Sequence, residues 1–149
     1  MTLSQKVETL LKETLPEAAF LQVKERKYFT GRPYLMIFFA ASELDLNNVS
    51  MQKPQAVSLS LDLETLELQT QVFGGMGGNR IYLIPDKENP KEQHLAMAGY
   101  KIAFRTPKPE EKNVLAAIKR FAENWIMAME TNRSRLMYQD MVDYNALLR

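Results

Sequence analysis

Three carboxylates, Asp62, Glu64 and Glu67, crowd the point where one alternating run of residues gives way to the next. Two carboxylates held close can share a proton for acid/base work, and a group of them can hold a hard cation. Turns and wet strand faces recruit the same residue types, and that commoner role is expected here. His94 is the only histidine. Histidine pairs and histidine-based metal clusters therefore cannot be built within one chain, and a surface position in a short helix is the expected role. The chain has no cysteine, which removes disulfides, thiolate metal sites and cysteine nucleophiles together. No G-x-S-x-G elbow is present. These readings lead to an expectation of no catalytic residues, no cofactor and no metal.

Four of the six glycines fall in one run, Gly74, Gly75, Gly77 and Gly78, followed by Asn79 and Arg80. Such a run asks the backbone for positive φ or for close approach by another group. A P-loop needs Lys and then Ser or Thr after its last glycine, where Asn79 and Arg80 stand. A dinucleotide fingerprint begun at Gly75 needs glycine at the place of Arg80. Both motifs also lead into a helix, and here a strand follows. A structural crossing between strands is the expected role. The alternative is an anion nest in which free N–H groups, Asn79 and Arg80 hold a phosphate or nucleotide ligand.

The most basic stretch is 23–34, where Lys24, Arg26, Lys27 and Arg32 are interleaved with Tyr28, Phe29 and Tyr34. Basic and aromatic side chains on one hairpin suit single-stranded nucleic acid, through phosphate contacts and base stacking. Period-two geometry puts Lys24, Arg26 and Tyr28 on one strand face. The bland alternative is a solvated hairpin whose edge charges discourage aggregation.

Those groups must be positioned by elements legible in the spacing. Leu3, Val7, Leu10 and Leu11 recur at helical period behind a Thr2-x-x-Gln5 capping box, predicting a short helix that ends near Pro16. Runs at 20–28 and 34–41 flank Thr30, Gly31, Arg32 and Pro33, which supply turn chemistry for a hairpin. The second run is apolar at every position and reads as a central strand covered on both faces. Val57, Leu59, Leu61 and Leu63 alternate with polar residues, then Leu66, Leu68, Thr70 and Val72 do the same, predicting a second hairpin turning at Glu64 and Thr65. Residues 80–84 read as a strand, 89–98 as a short helix and 100–105 as a strand. Glu110 and Glu111 open the longest helix, with Val114, Leu115, Ile118, Phe121, Ala122, Trp125, Ile126 and Met129 as its apolar stripe. Met127 and Met129 are expected to pack beside Trp125. Beyond the polar break at 132–135, Met137, Met141, Tyr144 and Leu148 restart a helical spacing suited to an interface.

At 149 residues the chain suits one α+β domain: a mainly antiparallel sheet of five to six strands, with a short N-terminal helix and a long C-terminal helix packed on one face. Residues 132–149 are a candidate C-terminal interaction helix. Nineteen basic residues against 18 acidic ones leave a formal charge of +1, so any affinity for nucleic acid must be local. The polar start and the lack of a long apolar run point to a cytoplasmic protein with no membrane partner. The expected function is a small non-catalytic binding or adaptor protein acting through its sheet and C-terminal helix. A protein partner or self-association as a homodimer is expected, with nucleic-acid binding and a phosphate ligand at 74–80 as alternatives.

Overall fold

The structure, a computed structural model, describes residues 1–42, 55–73, 80–83 and 109–131. Helix α1 spans Leu3–Thr14. The Thr2 hydroxyl accepts from the Gln5 N–H at 3.2 Å, and the Gln5 side chain accepts from the Thr2 N–H at 2.9 Å, which completes the capping box. At the other end the Leu15 N–H donates to the Leu11 carbonyl at 2.8 Å, and Pro16 follows. Proline disfavours helical backbone in the residue before it, and Leu15 is extended, with ψ 151°.

Five strands follow in an antiparallel meander: β1 (Phe20–Lys27), β2 (Pro33–Ala40), β3 (Ala56–Asp62), β4 (Leu68–Phe73) and β5 (Arg80–Leu83). Their order in the sheet is their order in the chain. In register, Leu21, Phe39 and Val57 form one row, Val23, Ile37 and Leu59 the next, and Leu35, Leu61 and Leu68 a third. Leu35, Ile37, Phe39, Val57, Leu59, Leu61 and Leu68 are wholly buried. The period of two thus gives the sheet one continuous apolar face.

Helix α2 (Glu111–Thr131) begins after Pro109, with the Asn113 and Val114 N–H groups donating to the Glu110 carbonyl. Its buried positions include Val114, Ala117, Ile118, Phe121, Ala122, Trp125 and Ala128, a stripe at helical period. The long C-terminal helix packs against α1, and both contribute to one cluster with the apolar sheet face. Phe39 meets Trp125 edge to face, ring centres 5.0 Å apart. Full burial of each such large side chain stabilises the fold by about 1.5–3 kcal/mol relative to exposure.

Four details depart from the sequence reading. Residues 34–41 are not covered equally on both faces: Leu35, Ile37 and Phe39 are buried under the helices, while Tyr34, Met36 and Phe38 are half-buried on the other face. The first turn lies at 28–32, and Pro33 opens β2 rather than sitting in the turn. The second turn is longer than Glu64 and Thr65, running from Asp62 to Glu67, so Leu63 and Leu66 are turn residues. Met127 is 50% exposed instead of packing beside Trp125. Two residues along a helix are about 200° apart around its axis, so Met127 cannot share the face of Trp125. Met129 does pack against the core.

The predicted helix at 89–98 and strand at 100–105 lie outside the described residues, as does His94.

Candidate binding face

Both described helices lie on one side of the sheet, and no described element lies on the other. That second face is built from Phe20, Gln22, Lys24 and Arg26 of β1, Tyr34, Met36 and Phe38 of β2, Ser58, Ser60 and Asp62 of β3, and Gln69 of β4. The register aligns them in rows: Gln22, Phe38 and Ser58; Lys24, Met36, Ser60 and Gln69; Arg26, Tyr34 and Asp62. Phe20 is 53% exposed and meets Phe38 edge to face at 6.0 Å. Lys24 and Arg26 are exposed, and among the described residues neither makes an ion pair. An apolar row along β2 is therefore flanked on the edge strand by two exposed cations.

At one end of this face the two hairpin turns meet. In the first, the Gly31 N–H donates to the Tyr28 carbonyl at 2.8 Å and the Tyr28 N–H donates to the Arg32 carbonyl at 2.9 Å. Gly31 has φ 89°. This is the three-residue hairpin loop in which a left-handed glycine restores the twist of the strands. An added Cβ at Gly31 would meet nothing within 4 Å, so glycine serves backbone conformation there and not space. Phe29, at the tip, is wholly exposed. Tyr28 and Tyr34 stack behind it with ring centres 4.3 Å apart and planes 21° apart.

The second turn is held by Asp62, only 4% exposed. One carboxylate oxygen accepts from the Glu64 and Thr65 N–H groups at 2.8 and 3.0 Å, and the other accepts from the Arg32 guanidinium at 2.5 Å. Arg32 also pairs through Nε with Glu64 at 3.2 Å. Leu66 has φ 61° yet is only 3% exposed. Burial raises the Tyr28 phenol above its ordinary range, the charge of Asp62 and the nearby Tyr34 add to the rise, and Arg32 opposes it.

The structure thus sorts the candidate residues. Lys24, Arg26, Tyr28 and Tyr34 come together on the open face. Lys27 lies opposite Pro33, at the alternate strand positions, and Arg32 is engaged by Asp62 and Glu64. Asp62 is a turn-forming group and an ion-pair partner, and the described residues gather no set of three metal-type ligands. Arg80 opens β5 opposite Gln71. Gly74, Gly75, Gly77, Gly78 and Asn79, like Met137, Met141, Tyr144 and Leu148, lie outside the described residues.

Phe20, Met36 and Phe38 are the members of the face that sequence reasoning did not single out. The signal was there in part, since Lys24 and Arg26 share parity with Phe20; the register against Met36 and Phe38 needed the folded sheet. A separate hollow of about 230 Å³ lies between the end of α1 and the C-terminal half of α2, lined by Pro16, Ala19, Ala41, Trp125 and Met129 among others.

The chain matches no family model, no curated protein and no solved structure. Its class is that of an α+β fold with an antiparallel meander and both described helices on one face. No helix among the described residues is long and apolar enough to cross a membrane.

Proposed function

We propose that this is a non-catalytic, cytoplasmic binding protein that takes an extended anionic partner on the open face of its sheet. The observation that supports this is the row Tyr34, Met36 and Phe38, left half-buried with neither described helix over it and bordered by exposed Lys24 and Arg26. Water around such a row is released when a partner covers it, and the two cations give that partner a sign. The test is a titration of isotope-labelled protein with heparin and with a poly-glutamate peptide at low salt. Amide shifts concentrated at 22–26 and 34–38 are expected. Shifts spread evenly over the surface, or none with either polyanion, would refute the reading.

Self-association is a separate proposal and rests on sequence alone. Met137, Met141, Tyr144 and Leu148 recur at helical spacing beyond the polar break, so a chain ended after Asn132 should sediment as a monomer where the full chain sediments as a dimer. A monomeric full chain would end that proposal.

A further inference from the structure

We propose that the occupant of the open face is single-stranded nucleic acid, read without base sequence; this rests on the binding role given above and specifies its partner. Three features converge on that chemistry. The first is charge. Lys24 and Arg26 stand two residues apart on the same side of β1, about 6.6 Å along the strand. The only carboxylate at this face of the described strands, Asp62, is 4% exposed and already paired with Arg32. Glu64 and Glu67 lie at the turn end of the face, where Glu64 pairs with Arg32 and Glu67 acts on Tyr28, so Lys24 and Arg26 farther along β1 are the exposed cations left to meet a phosphate chain.

The second feature is aromatic. Phe29 is wholly exposed at the tip of the β1–β2 hairpin, and Phe20 is 53% exposed near the other end of β1. Lys24 and Arg26 lie between them along the strand, so two phosphate-binding cations are bracketed by exposed rings on which flanking bases can stack. The third is polar. Ser58, Ser60 and Gln69 on the adjoining strands supply hydroxyl and amide groups that can bond to base edges or sugar. An acidic peptide satisfies the cations but brings no aromatic base to stack on Phe29. A duplex keeps its bases stacked within itself and likewise leaves that ring unused.

The experiment is a binding titration of the full chain by fluorescence anisotropy. A short oligothymidylate, the same length of duplex and a poly-glutamate peptide are compared across a salt series. The oligothymidylate should bind most tightly. Phe29→Ala should weaken it by about 5-fold or more, the loss expected for one stacked base. Lys24→Ala together with Arg26→Ala should flatten the salt slope by about 1.4, two phosphate contacts on a single strand. Both changes are at exposed positions, and unaltered melting curves confirm that each variant is folded. If poly-glutamate binds and the oligothymidylate does not, the nucleic-acid inference is wrong while the binding face stands. If neither binds at low salt, both are wrong. Equal binding of duplex, or an unchanged affinity in Phe29→Ala, overturns the single-strand assignment.

Discussion

The two hairpin turns at one end of the sheet solve the same geometric problem in opposite ways. Each must carry one residue through positive φ. The β1–β2 turn uses Gly31, at no steric cost, and holds Phe29 in water at its tip. The β3–β4 turn places Leu66 at φ 61° and buries its side chain to 3% exposure. A branched side chain in the left-handed region costs about 1–2 kcal/mol, and burial of a leucine returns about 1.5–3 kcal/mol. The strain at Leu66 is therefore offset by the core and belongs to the fold. The exposed ring of Phe29 is offset by nothing in the fold, which leaves it available to a partner. Arg32 joins the two turns, reaching from the first to Asp62 and Glu64 of the second.

The largest effect should come from the β3–β4 turn. Asp62→Ala leaves the Glu64 and Thr65 N–H groups without their acceptor and Arg32 without its nearest partner, so a loss of about 2–3 kcal/mol is expected in chemical denaturation. Asp62→Asn, which keeps an acceptor for the turn, should cost less. A loss in Asp62→Ala below half a kilocalorie would show that the turn does not depend on this carboxylate.

Leu66 gives a sharper test, because two terms oppose there. Leu66→Ala should cost about 2–3 kcal/mol by emptying a buried site. Leu66→Gly empties the same site but removes the left-handed strain, so it should be more stable than Leu66→Ala by about 1 kcal/mol. At an ordinary buried position the order is reversed, and finding that reversed order here would remove the claim of offset strain.

In the first turn only conformation is at stake. Gly31→Ala should cost about 1 kcal/mol, since the site has room for the added methyl but not the right φ. Gly31→Asn should cost less, because asparagine tolerates the left-handed region. Equal stability of all three proteins would show that the turn relaxes.

Behind that turn Tyr28 supplies a pH signature. Its phenol titrates higher in the folded chain than in the unfolded one, mainly through burial. The unfolded chain thus loses this proton first as pH rises. Stability from this group is complete below about pH 10, the unfolded value, and is lost as pH climbs through the folded one. Tyr28→Phe should flatten the alkaline fall of the melting temperature relative to the parent. A steeper fall in the variant contradicts the sign.

The smallest effect on stability is expected at Phe29. Phe29→Ala should change it by no more than about 0.5 kcal/mol, as for surface positions generally. Any larger loss would mean that the ring packs in solution and that the contrast between the two turns is weaker than drawn.

What was legible in the amino-acid sequence was local. The capping box of α1, the alternation in β3 and the stripe of α2 are each set by residues within a few positions of one another, where helical and strand periods act directly. Asp62 also read correctly as a turn residue, since short-range hydrogen bonding to the backbone is what recruits aspartate to turns. Its ion pair did not read, because Arg32 lies 30 residues away and only the β2–β3 register brings them together. The same register decided that the apolar run at 34–41 has one face under the helices and another on which Tyr34, Met36 and Phe38 are half-buried with no described element over them. Tyr34, Met36 and Phe38 are as apolar as their neighbours, and nothing in their spacing says which side receives the helices. Sequence periodicity determines how many faces an element has and what each carries. Which face is covered depends on where distant elements pack, and that was decided by the tertiary structure.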